Sequence, residues 1–72
     1  MTSNDVNKAI EVWSEGSFDK LDIYIAEQEF VFCADKQHTV VIIDNCLIST
    51  SEEGQIYIDI THIIAITLWE KR

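Results

Sequence analysis

Gln55–Trp69, QIYIDITHIIAITLW, is the stretch whose reading decides the fold. Ile56, Ile58, Ile60, Ile64, Ile66 and Leu68 fall on one side of an extended chain. Tyr57, Asp59, Thr61, Ala65 and Thr67 fall on the other. Period two with β-branched residues is the pattern of a strand half-buried on one face. The polar pair Thr61-His62 interrupts the run. The stretch therefore reads as two short strands with a tight bend between them, and His62 is placed to cap that bend.

Upstream, Ser51-Glu-Glu-Gly54 reads as a hairpin loop, with Gly54 taking the left-handed position. Cys46–Thr50 is a short, half-polar strand. Asp44-Asn45 suits a tight turn because both residues tolerate positive φ, or equally a bulge in one long bent strand. Thr39–Ile43 and Phe30–Ala34 are apolar on both faces, as in covered strands, and the polar segment Asp35–His38 turns between them. Residues 18–28 carry two patterns. Leu21, Ile23 and Ile25 alternate as in a strand, while Phe18, Leu21 and Ile25 also fit a helix that Ser17 could cap; the β-branched isoleucines favour the strand.

Residues 3–15 read as an amphipathic helix. Val6, Ala9, Ile10 and Trp13 form one stripe, Ser3 or Asn4 can cap its start, Asp5 suits the positive end of the dipole, and Gly16 is the natural stop. Core packing is the expected role of Trp13. The fold class expected is α+β: an N-terminal helix followed by a strongly bent antiparallel sheet or small barrel.

A chain of 72 residues makes one domain and supports only a marginal core, so oligomerisation is a natural source of stability. Nearly half of it is apolar, at 47%, which argues against disorder. No apolar run is long enough to span a membrane, and the opening MTSNDVNK has no secretory pattern, so a cytoplasmic protein is expected. In that compartment Cys33 and Cys46 are expected to be buried free thiols. Thirteen acidic residues against five basic ones give a net charge of −8. Such a chain repels phosphate backbones and anionic lipid, so direct nucleic-acid binding is not expected.

From residue 41 to 66, VIIDNCLIS, an acidic loop closed by Gly54, and IYIDITHIIAI together resemble the last three strands of an Sm-like small β-barrel. The N-terminal helix and the chain length fit that family too. The resemblance implies rings, in which the fourth strand of one subunit joins the fifth of the next. Gln55–Ile60 and Ile63–Trp69 would then be the pairing edges. Many members bind RNA around the pore, but the matching residues here are Asp44, Asn45, Asp59, Thr61 and His62, with no lysine or arginine among them. A second likeness lies in AIEVWSEGSFDKLDIYIAEQEFVF, residues 9–32, which is similar to the opening of the cone-shaped fold of nuclear-transport-factor-like and polyketide-cyclase-like proteins. It implies a second helix at 18–28.

Little in the chain points to catalysis. Cys33, His38, Cys46 and His62 match a zinc set in number, but no pair has the short spacing of such motifs. Glu27 with Glu29, and Glu52 with Glu53, are adjacent carboxylates in expected turns, where water keeps them ionised. Two glycines cannot build a phosphate-cradling loop. No cofactor and no catalytic residue are expected. The expected function is a non-enzymatic protein–protein interaction module, a homo-oligomer assembled through strand edges, with Tyr57, Asp59, Ile63 and Trp69 as contact residues. Trp69 could anchor a subunit contact or plug the barrel end. The alternative is an acidic inhibitor that mimics nucleic acid and binds a basic protein through a rim of Asp35, Asp44, Glu52, Glu53 and Asp59. An RNA- or nucleotide-binding ring is the third reading.

Overall fold

The computed structural model describes residues 1–26 and 31–70. One helix, α1 (Ser3–Ser14), precedes six strands: β1 (Phe18–Ile25), β2 (Val31–Ala34), β3 (Thr39–Ile43), β4 (Cys46–Ser51), β5 (Gly54–Asp59) and β6 (Ile63–Glu70). A single 3-10 turn, Ile60–His62, separates β5 from β6. The α+β reading holds. The strands divide into two three-stranded antiparallel sheets, ordered β2-β1-β6 and β3-β4-β5.

Helix α1 forms where the apolar period is helical, and it buries Val6, Ile10 and Trp13. Its cap is one residue earlier than the sequence suggests. The Thr2 hydroxyl accepts from the Asp5 N–H at 3.2 Å, and the Asp5 carboxylate accepts from the Thr2 N–H at 3.2 Å. This reciprocal pair satisfies two backbone donors that the first turn would leave bare. Gly16, at φ 98°, lies just past the helix end as expected. Lys36, from the β2–β3 turn, reaches back to this end. Its ammonium donates to the Trp13 carbonyl at 2.9 Å and lies 5.0 Å from the centre of the Trp13 ring.

Residues Phe18–Ile25 are strand, so no second helix occupies them and the likeness to the cone-shaped fold fails there. Asp44 and Asn45 form a two-residue turn at φ 49° and 61°, closing the β3–β4 hairpin rather than bulging one long strand. The bend after β5 is capped by Asp59, not His62. The Asp59 carboxylate accepts from the Thr61 N–H at 2.9 Å and its hydroxyl at 2.7 Å, because an acidic residue just before a turn faces the bare N–H groups. His62 contributes its carbonyl, which accepts from the Ala26 N–H at 2.7 Å. Glu27 and Glu29 lie outside the described residues.

Two register shifts govern which side chains enter the core. Tyr24 pairs with Ala65 and Ile25 with Ile63, so Ile64 is the extra residue of a bulge. The alternation read from the sequence carries Ile64 inward. The bulge reverses it: Ile63 is fully buried and Ile64 is 63% exposed. A second shift, between Phe18 and Lys20, leaves Asp19 as the extra residue on β1. The Asp19 carbonyl accepts from the Trp13 indole N–H at 3.4 Å. The inner faces of both sheets and α1 share one cluster, centred on Leu21, Ile23, Leu47, Ile60 and Ile63. Its one buried polar side chain among the described residues is Ser49, whose hydroxyl finds no hydrogen-bond partner.

Candidate interaction surface

Pairing each strand with its neighbours leaves β6 at one edge of its sheet and β5 at an edge of the other. An unpaired edge presents a row of N–H and C=O groups that can recruit another strand. Proteins usually block such edges with lysine, proline, inward charge or a bulge, and of these β6 carries the bulge at Ile64. Neither β5 nor β6 contains lysine, arginine or proline; Asp59 and Glu70, at their ends, are their only charges. These strands also carry much of the chain's exposed apolar surface: Tyr57 and Ile64 at 63%, Trp69 at 49% and Ile56 at 41%. Ile56 belongs to the inward set by alternation, yet it lies near the open end of β5, opposite Ser49, and is only partly covered.

The outer face of the β3-β4-β5 sheet continues this surface. Val41, Ile48 and Tyr57 form one cross-strand row, and the neighbouring row begins with Ile43. Val41 is 42% and Ile43 55% exposed. The apolar second face of β3 in the sequence is therefore real, but no part of the described chain covers it. The same holds on β2, where Val31 and Cys33 are exposed. Cys33 faces outward because Phe32 and Ala34 take the inward positions, and Cys46 is half-buried; both are free thiols, in different sheets.

Of the contact residues expected from the sequence, Tyr57 and Trp69 are on the surface. The Tyr57 hydroxyl donates to Gln55 Oε1 at 2.9 Å. Asp59 is exposed but already engaged in capping the turn. Ile63 is not a surface residue at all, since the bulge turns it into the core and gives its outward place to Ile64.

The acidic residues do not form one rim. Asp44 and Asp59 lie at one end of the β3-β4-β5 sheet, where Cys46 pairs with Asp59. Glu52 and Glu53 lie in the β4–β5 turn at the other end, roughly 17 Å away at about 3.3 Å per residue along β4. Asp35 belongs to a third place. It borders a cleft of about 600 Å³ on the outer face of the β2-β1-β6 sheet, together with Asp19, Lys20, Asp22, Trp69 and Glu70. There the Trp69 indole N–H donates to Asp22 Oδ2 at 2.8 Å. A smaller hollow of about 300 Å³ sits by Asp44, Asn45, Tyr57 and Asp59.

Hydrogen bonding fixes the ionisation of several of these groups. The Gln37 N–H and the His38 ring hold the Asp35 carboxyl below its usual range, and Thr61 does the same for Asp59. Both stay charged through neutral pH. Hydrogen bonding toward Asp22, and then burial, raises the Cys33 thiol above its ordinary value, which disfavours the reactive thiolate. The arrangement suits the binding of other molecules at fixed charge. No protein-family model, curated protein or solved structure matches the chain.

Proposed function

We propose that the chain is a non-enzymatic interaction module that assembles with copies of itself, β5 of one subunit pairing with β6 of the next, as in an Sm-like barrel. One observation carries this reading: among the described residues β5 and β6 lie at sheet edges without lysine, arginine or proline, and they also bear Tyr57, Ile64 and Trp69, each about half exposed or more. A contact between two different edges is heterologous, so it repeats until a ring closes or a filament grows. The Sm-like reading gains support from β6, the last strand, pairing along the first strand, β1, and from the single turn that joins β5 to β6. Pore binding of RNA gains none, because the loops at Asp44-Asn45 and Asp59–His62 hold no lysine or arginine. The nucleic-acid mimic is weakened by the scatter of its acids over three places. Two free thiols fit a reducing, cytoplasmic setting.

Light scattering after size exclusion tests the proposal, at low and high salt. The native chain is expected to give one discrete mass above that of the 8.3 kDa monomer. Ile64→Lys, which places a charge on the β6 edge without touching the core, is expected to give a folded monomer. A native chain that is monomeric at tens of micromolar overturns the proposal.

A further inference from the structure

We infer that the cleft beside Trp69 is a binding site for an arginine side chain presented by a basic peptide or protein. The cleft lies on the outer face of the β2-β1-β6 sheet and takes Trp69 and Glu70 from the end of β6; the inference goes beyond self-assembly, and the assembly-deficient variant keeps the two apart. Its volume, about 600 Å³, lies within the range of small-ligand sites. Its aromatic wall is fixed in place: the Trp69 indole is tied to Asp22 through its N–H at 2.8 Å, while half of its surface remains exposed. Around that wall stand the carboxylates of Asp19, Asp22, Asp35 and Glu70, with Lys20 as the one cation among the described lining residues. Asp35 is itself held, its Oδ1 accepting from the Gln37 N–H and meeting His38 Nδ1, both at 2.9 Å.

A planar cation satisfies all of these features at once. Guanidinium stacks on an indole face and offers a fork of N–H donors to carboxylates at its edge. A lysine ammonium, more strongly hydrated and lacking a flat face, uses the same cleft less well. The chain already makes one cation–indole contact of its own, Lys36 over Trp13, on the helix side of the molecule.

The test is a titration of the nitrogen-15-labelled chain with a short arginine–glycine peptide at low salt, followed by NMR. The two tryptophans give separate indole N–H signals. The Trp69 signal is expected to move saturably and that of buried Trp13 to stay. The double variant Asp35→Asn/Glu70→Gln is expected to lose roughly tenfold in affinity, about two exposed charge contacts. The variant Glu52→Gln/Glu53→Gln removes the same charge elsewhere and is expected to stay within about twofold of the native chain, since distant exposed charges are largely screened. A lysine–glycine peptide is expected to bind more weakly. Equal losses in both double variants would mean attraction to overall charge alone and overturn the site, as would an unmoved Trp69 signal. Running the titration on Ile64→Lys separates this result from the assembly question, because the cleft does not use Ile64.

Discussion

Two adjacent isoleucines make the sharpest test of the fold. Ile63 is fully buried at the start of β6, and Ile64, displaced by the bulge, is 63% exposed. Replacing Ile63 with alanine removes hydrocarbon worth about 2.4 kcal/mol at about 0.8 kcal/mol per methylene, and the cavity left behind brings the cost to about 3–4 kcal/mol. A 72-residue domain has roughly 4–11 kcal/mol of stability in all, so this one change consumes much of it. In melting temperature it corresponds to a fall of roughly 12–32 °C. Ile64→Ala loses only the covered part of the same surface and opens no cavity, which puts its cost below about 1 kcal/mol. Urea unfolding followed by circular dichroism, repeated across protein concentrations, measures both. Ile63→Ala is expected to lower the midpoint at every concentration. Ile64→Ala is expected to act only on the concentration-dependent part. If Ile64→Ala proves as costly as Ile63→Ala in dilute solution, the bulge is misplaced and the simple alternation of the sequence persists through β6.

Three further outcomes follow from other parts of the structure. Ser49→Ala is expected to raise stability by about 1 kcal/mol in thermal unfolding, because it removes a buried hydroxyl with no partner; a loss of that size would mean that the hydroxyl is satisfied. Lys36→Met keeps the aliphatic stem but loses the carbonyl contact and the cation over Trp13, and is expected to cost about 1–2 kcal/mol at low salt and less at high salt. Asp5, Asp35 and Asp59 all sit below the ordinary value of 3.8 because they accept hydrogen bonds, from Thr2, from Gln37 and His38, and from Thr61 in turn. A carboxyl depressed by folding adds stability that is present above the unfolded value and lost as pH falls through the folded one. Melting temperature is therefore expected to drop as pH falls below about 4, and Asp5→Asn combined with Asp59→Asn is expected to flatten that drop.

Local chemistry made some elements legible in the sequence and geometry hid others. The stripe Val6, Ile10, Trp13 and the turn Asp44-Asn45 depend on residues a few positions apart, and both form as read. The inward set on β6 does not follow from local pattern. A bulge is decided by how β6 lies against β1, and one extra residue exchanges Ile63 for Ile64. The apolar double face of β3 was visible, but the sequence implies a covered strand where the described chain leaves Val41 and Ile43 bare. For the candidate site, Trp69 stood out as an aromatic at a strand end. Its partner Asp22 did not, since the two are 47 positions apart and are brought together only by the β1–β6 register, and Lys36 reaches Trp13 across 23 positions. The acidic rim failed for the opposite reason. Strand ends close in sequence order lie at opposite ends of a sheet once the hairpins fold.

The pairing of β1 with β6 also sets the order of events in folding. Phe18 meets Glu70, so the first strand waits for the end of the last one, whereas β3, β4 and β5 close through tight turns between neighbours. Local hairpins form in microseconds, and pairings distant along the chain carry the larger loop-closure cost. The meander is thus expected to act as nucleus and the β1–β6 ladder to zip last. On a ribosome, Leu21 and Ile23 stay without their β6 neighbours until Ile66 and Leu68 have been made. During that interval the chain is most open to capture by a chaperone or by another nascent copy.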